Sequence, residues 1–327
     1  MIIIAEDLKL ALITDFTEVK EIYAQAAEKK WVIPCFCSEN LTTSEAVLSA
    51  AQDFAQKNGY VSVPVTLAMT VRYGHRPQAS YYTHTRRWDT GLRLFSADAK
   101  ILAEKNGPFP NVDVLLHLDH VQHDADEKLL ENWDLSEYSS IMYDASNLPF
   151  AENIEKTAAF AKKMRGRILI EGACDEIYNA GGEIHNDLTT PEKAKEYISK
   201  TNVDLIVANL GTEHRASGQT LHYYDDTAKK IKAQIGAKTV LHGLSSVSLE
   251  QVKNLYNDGI CKVNIWTMLE RDSSPVLLGQ MEKNAGKIAG TGASLSHFTT
   301  LWRQDIIFAE MKKIVNNFFE MWYLHKI

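Results

Sequence analysis

Val114-Leu115-Leu116-His117-Leu118-Asp119-His120 is an aliphatic run that ends in three chemically active side chains. Consecutive apolar positions without alternation suit a strand buried on both faces, as in a parallel sheet. The same form recurs at Val32–Phe36, Val61–Ala68, Ser140–Asp144, Ile168–Glu171, Leu205–Asn209, Thr239–His242 and Cys261–Ile265. That makes eight strands. Amphipathic stretches lie between them, among them Ser44–Lys57, Ala151–Lys163, Pro191–Lys200 and Leu249–Asp258. Thr190 before Pro191, and Ser248 before Leu249, are helix-initiation signals, and Gly259 is a stop.

Eight βα units predict an α/β fold closed as a (β/α)8 TIM barrel, with a doubly wound open sheet as the competitor. Two additions to a minimal barrel are expected: a long insertion after strand 2, from about Thr70 to Val112, and an extra C-terminal helix over Leu301–Leu324. No Pro-, Gly- or Ser-rich linker divides the chain, so one domain over residues 1–327 is expected.

The chain has 327 residues, 45% of them hydrophobic and 24% charged, enough for a large buried core without staples. A net charge of -7 argues against a nucleic-acid partner, whose footprint is normally basic. The segment MIIIAEDLKLALITDF has neither a basic leader nor a small-residue cleavage site, and no uncharged run suits a membrane span. Cys35, Cys37, Cys174 and Cys261 show no paired spacing. They read as reduced thiols in a cytoplasmic protein.

Barrel active sites lie where strands end. Here the third strand ends in His117 to His120, the sixth leads to Gly211-Thr212-Glu213-His214, the seventh ends in His242-Gly243, and the eighth leads to Asn264-Ile265-Trp266-Thr267. Only 11 histidines exist, yet three separate strands each bring one to the same end of the barrel. Three imidazoles with an open position are a catalytic zinc arrangement. Spacing alone leaves the reaction open.

HLDH, then SIMYDASNLPFAENIEKT, LTTPEKAKEYISKTNVDLIVANLGTEH, KTVLHGLSS and GICKVNIWT resemble the class II fructose-bisphosphate and tagatose-bisphosphate aldolases, in that family's order, over roughly residues 30 to 270. The resemblance implies a metal-dependent lyase that splits a phosphorylated ketose into dihydroxyacetone phosphate and an aldehyde. It makes His120, His214 and His242 the ligands of Zn2+, or of another divalent ion such as Co2+, with room for a monovalent cation. Asp119 becomes the acid/base for the hydroxyl of the bond that breaks. Gly243 and Ser245 match the family's phosphate-gripping turn, and Asn264 and Thr267 match its NxxT segment, which implies that all four bind substrate or its phosphate, the asparagine also meeting the enediolate-forming end. Asp144 and Ser146 match its D-G-S segment, with Ala145 for the glycine. Asp144 either orients a ligand or binds a second cation, or else it only caps the following turn. The implied assembly is a homodimer or homotetramer, with a small phosphorylated sugar as substrate and no nucleic-acid or membrane partner.

Several positions depart from the family. Its E-x-E segment reads Glu171-Gly172-Ala173-Cys174-Asp175-Glu176, followed by Gly181-Gly182-Glu183. Anchoring on the glycine pair makes Glu176 the metal-associated glutamate, the alignment preferred here. Anchoring on the strand end selects Glu171 instead. Glu183 would then lie in a loop able to return a proton to carbon. Arg215 either replaces the family's phosphate-binding lysine or forms a surface ion pair. Leu244, Cys37 and Ala68 stand where a glycine, an asparagine and a glutamine are expected, and Thr70 replaces a serine. The insertion carries Arg72, Arg76, Arg86, Arg87 and Arg93 among Tyr81, Tyr82 and Trp88. It reads either as a lid over an anionic or unusual aldehyde half, or as a solvated helix face. Other readings of the whole chain are a metal-dependent epimerase or lyase on another phosphorylated compound, and a non-catalytic partner subunit.

Overall fold

The computed structural model describes residues 12–104, 106–180, 187–216 and 222–326. Eight strands close into a parallel barrel in sequence order: β1 (Ile33–Cys37), β2 (Val63–Thr70), β3 (Val112–Gln122), β4 (Ser140–Asp144), β5 (Leu169–Ala173), β6 (Leu205–Val207), β7 (Thr239–Leu241) and β8 (Ile260–Ile265). β1 pairs with β8 through Ile33 to Phe36, which completes the closure. The fold is the expected TIM barrel rather than the open sheet.

Strands β6 and β7 stop short of the predicted Asn209 and His242. Beyond Val207 the backbone turns to another partner: Asn209 N–H donates to Thr189 Oγ1 at 2.8 Å, and Thr189 N–H to the Asn209 carbonyl at 2.9 Å. Strand β3 runs longer than predicted, and its pairing with β4 shifts register between Leu118 and Val121. His120 sits in that bulge at φ 46°, a left-handed conformation uncommon outside glycine. In a regular strand Asp119 and His120 would face opposite sides. The bulge re-aims His120, and both side chains reach the barrel mouth.

Helix Pro191–Thr201 starts as the sequence indicates, with Thr190 Oγ1 accepting from Lys193 N–H at 3.1 Å, a cap worth about 1 kcal/mol. Ser248 Oγ likewise accepts from Gln251 N–H. The helix expected over Leu249–Asp258 is instead two turns, Leu249–Val252 and Leu255–Asp258. They are divided at Asn254, whose amide bonds the Glu250 carbonyl; asparagine readily trades helical pairing for such local bonds. A helix over Phe16–Glu28, which the sequence reading passed over, buries Val19, Ile22 and Ala26 and is capped by Asp15.

The insertion after β2 carries two helices, Gln78–Tyr81 and Trp88–Leu102. The C-terminal helix is Thr300–Tyr323, and it buries Met311, Val315, Phe318, Phe319, Trp322 and Tyr323. Full burial contributes about 2 kcal/mol for each large apolar side chain. The polar tips of its two terminal aromatics are also paired, Trp322 Nε1 to the Val252 carbonyl at 2.9 Å and Tyr323 OH to the Pro64 carbonyl at 2.6 Å. These contacts tie the last helix to the barrel wall.

Candidate active site

At the C-terminal mouth, one nitrogen from each of His120, His214 and His242 falls within 4.8 Å of the other two. Each ring arrives by a different device. His120 comes from the β3 bulge, with Nδ1 held by Asp144 Oδ2 at 2.8 Å, which turns Nε2 inward. Such an outer partner fixes the tautomer and aim of a ligating imidazole. His214 follows β6 on a segment that bridges Asn179: its N–H donates to the Tyr178 carbonyl and its own carbonyl accepts from Ala180 N–H, both at 2.9 Å. His242 directly follows β7, where Gly243 turns at φ 72°. A Cβ on Gly243 would lie 2.7 Å from the Glu213 carbonyl oxygen, so only glycine fits.

His120 Nε2 and His242 Nδ1 face each other at 3.1 Å. Two nitrogens on one tetrahedral zinc are about 3.3 Å apart, so this spacing suits a shared cation. Nε2 of His214 is buried without a hydrogen-bond partner among the described residues. The donor set therefore fits a divalent metal, on geometry and on protonation. Burial, with the positive potential of His120, His75 and Arg215, drives His214 down to about 3. Burial, with His120 and His214, holds His242 well below its ordinary value. Both rings are thus in the neutral form that ligates metal. Burial also disfavours charge on His120, but Asp119 and Asp144 overcome it and raise that ring.

Asp119 lies beside the trio. Its Oδ1 accepts from Asn264 Nδ2 at 2.9 Å, and Cys37 Sγ stands 3.6 Å from its Oδ2. Burial works to raise this carboxyl, but the charge at His120, with the His117 side chain, outweighs it and holds Asp119 well below the usual carboxylate range.

The cleft that contains Asp119 and the three histidines is also lined by Arg215, Gly243, Ser245, Asn264 and Thr267. Thr267 opens the helix Thr267–Lys283, whose first N–H groups lack intrahelical partners and favour anions. Asp144 combines two of its readings: one oxygen orients His120, and the other caps the turn at Ser146 at 2.7 Å. Neither candidate glutamate joins the histidines. Glu176 is exposed and lines an adjoining cavity with Asp144 and Asp175. Glu171 is wholly buried inside the barrel, 2.5 Å from Lys262 Nζ. Glu183 lies outside the described residues.

The insertion reaches the cleft through Tyr73, His75, Arg76 and Gln78. Of its five arginines, only Arg76 lines it; Arg72 bonds the Ala125 carbonyl, Arg87 pairs with Asp89, and Arg86 and Arg93 lie over Tyr81 and Trp133. Arg76 pairs with Glu39, which also accepts from Trp266 Nε1 at 2.7 Å and Gln78 Nε2 at 3.1 Å. Arg76 and Arg215 both lie over the Trp266 ring, 5.5 and 5.9 Å from its centroid. Tyr73, His75 and Trp266 are site residues that sequence reasoning missed. The signal was available, since Tyr73 lies three positions beyond the end of β2 and Trp266 immediately follows β8.

Comparison with known proteins gives the same direction. The family described as fructose-bisphosphate aldolase class-II matches residues 17–322. A fructose-bisphosphate aldolase of Giardia intestinalis is 27% identical over 202 residues, 53% of this chain, and the match spans 60% of that relative's length. Among solved structures, a fructose-bisphosphate aldolase from Campylobacter jejuni superposes with a TM-score of 0.75 at 19% identity, covering 96% of each chain. The YdjI aldolase from Escherichia coli K12 superposes with a TM-score of 0.66, also at 19% identity, over 93% of this chain and 96% of its own. At such identities the two structures establish the fold alone; the family match extends across nearly the whole chain. This protein belongs to the class-II fructose-bisphosphate aldolase family.

Proposed function

We propose that the chain is a zinc-type aldolase that cleaves a ketose 1-phosphate or ketose 1,6-bisphosphate into dihydroxyacetone phosphate and an aldehyde. The observation that carries this reading is the convergence of His120, His214 and His242 within 4.8 Å, with Asp119 in the same cleft. A divalent ion held by those three rings supplies electrophilic pull on a substrate carbonyl oxygen and stabilises negative charge developing there.

The protein's own groups do the rest. Asp119 Oδ2 takes the proton of the hydroxyl on the carbon that leaves. The O–H electron pair becomes the new aldehyde C=O, and the broken C–C pair stays with the dihydroxyacetone phosphate half. Glu183 is the candidate for returning a proton to that carbon. Gly243, Ser245, Thr267 and Arg215 hold the phosphate, and Asn264 orients Asp119 from within hydrogen-bond reach. Arg76, Gln78 and Trp266 line the same cleft as the histidines, which supports the lid reading of the insertion. We take Glu176, beside the site, as an outer metal-associated acid and the adjoining cavity as the place for a monovalent cation.

The same reading makes residues 1–327 one catalytic domain, working in the cytoplasm as a homodimer or homotetramer. Among the described residues no helix is long and apolar enough to cross a membrane. The test is purified protein, its metal content measured, offered a panel of ketose phosphates with and without added zinc or cobalt. Release of dihydroxyacetone phosphate that depends on the metal is expected. Bound metal with an epimerised product would select the epimerase, and no metal with no gain on adding it would select the partner subunit.

A further inference from the structure

Below the metal-binding mouth, the barrel interior holds a polar layer where such barrels normally pack branched apolar side chains. His117, Glu171 and Lys262 are each completely buried. Lys262 Nζ lies 2.5 Å from Glu171 Oε1. Glu171 Oε2 makes no hydrogen bond among the described residues, and neither does His117 Nε2. Yet His117 Nε2 lies 3.7 Å from that oxygen and 3.7 Å from Asp119 Oδ1. Its other nitrogen, Nδ1, is 2.8 Å from Ser140 Oγ.

This geometry calls for a proton on Nε2. Without it the Nε2 lone pair would face two carboxylate oxygens, which is repulsive. With the Ser140 hydroxyl donating to Nδ1, an Nε2 proton points towards Glu171 Oε2 and Asp119 Oδ1, at 3.7 Å from each oxygen an electrostatic contact rather than a hydrogen bond. The strand period explains the layering. His117 and Asp119 are two apart on β3, and Lys262 and Asn264 are two apart on β8, so each pair faces inward in adjacent layers. Asp119 Oδ1 is thereby engaged from Asn264 and approached from His117, while Oδ2 is the oxygen beside Cys37 at the cleft wall.

We propose that His117, aimed by Ser140 and by the Lys262–Glu171 pair, is a positioning residue for Asp119: it anchors Oδ1 from below so that Oδ2 is presented to the substrate hydroxyl. An ion pair buried inside a barrel is a weak stabilising device compared with apolar filling, so its place here is better explained by what it orients. This inference rests on the aldolase reading for its link to turnover, but not for its geometry.

Two substitutions separate positioning from packing. In His117→Gln the side-chain amide nitrogen can occupy the place of Nε2, whereas in His117→Asn it reaches only the place of Nδ1. His117→Gln should keep kcat within about threefold of wild type, while His117→Asn should lose roughly 10- to 100-fold in kcat with KM and bound metal unchanged. Crystal structures should show the Asp119 carboxylate unmoved in His117→Gln and rotated away from Asn264 in His117→Asn. The double variant Glu171→Gln with Lys262→Met avoids an unpaired buried charge and should reproduce the rotation. Equal loss in both His117 variants, loss of metal alongside kcat, or an unmoved Asp119 in His117→Asn would overturn the proposal. If wild type cleaves no ketose phosphate, the aldolase reading fails, and the Asp119 orientation in the crystals still decides this one.

Discussion

The Tyr73 ring lies flat on the His120 imidazole, with centroids 4.1 Å apart and planes within 6°. It also meets His75 and His214 edge-on, at 5.0 and 6.4 Å. Tyr73 belongs to the insertion after β2, so that segment rests directly on a proposed metal ligand. Together with Asp144, the stack leaves His120 little freedom to rotate. Tyr73→Ala should weaken metal binding about tenfold, as loss of an outer-layer contact does, whereas Tyr73→Phe should bind as wild type. Titration of the metal-free variants with zinc or cobalt reads this out. Equal affinity in wild type and Tyr73→Ala would mean the stack is packing only.

Asp119→Asn keeps the shape and volume of the side chain and leaves all three histidines in place. It should therefore retain metal, while cleavage falls by roughly 10²- to 10⁴-fold, the usual worth of a positioned acid/base. Because Asp119 is held well below the usual carboxylate range, it stays ionised throughout neutral pH in wild type. Measuring metal per chain alongside kcat separates the two effects. A variant that loses both would place Asp119 among the groups that build the metal site rather than those that move a proton.

The eight strands and the three histidines were readable because both are local signals: an apolar run followed by a polar strand end. What decides the site geometry was not local. Nothing in the residues 117–120 announces the register slip against β4 that swings His120 round. Lys262 is a polar residue within an apolar strand, and nothing near it in the sequence points to its partner Glu171, 91 positions away. The glutamate assignment was hard for a related reason. The segment from Glu171 to Gly181 supports two alignments, and in the fold Glu171 points into the barrel while Glu176 lies outside the histidine cluster. The insertion's arginines were visible, but which of them faced the cleft depended on how its helices pack.

Removal of metal should destabilise the fold, because the three rings converge from separate strands and Nε2 of His214 is buried without a hydrogen-bond partner among the described residues. An ion present at 1,000 times its dissociation constant stabilises by about 4 kcal/mol. Chelation should lower the melting temperature by about 6 °C for a chain of this size, and zinc should restore it. The sign of the pH dependence follows from His120, whose affinity for protons is raised by Asp119 and Asp144. As pH falls, protons compete with the ion at that ring, so the zinc-dependent gain should shrink in acid. A melting temperature indifferent to chelator and zinc at neutral pH would remove the metal from the stability of this protein.

Glu270 offers a test away from the histidines. It sits in the first turn of the Thr267–Lys283 helix, and its Oε1 is buried without a hydrogen-bond partner among the described residues. Burial, then repulsion from Glu39, pushes its carboxyl from 4.5 up to about 7, against the pull of Arg76. The folded chain therefore binds a proton between those two values that the unfolded chain has already released. By linkage, stability is greatest below 4.5, falls as pH rises towards 7, and stays reduced above it. The full deficit, allowing for partial solvent contact, is on the order of 2 kcal/mol. Glu270→Gln has no such titration. Its melting temperature should match wild type near pH 4.5 and exceed it by about 3 °C at pH 8. An offset that is the same at both pH values would show that Glu270 does not carry a raised carboxyl in the folded protein.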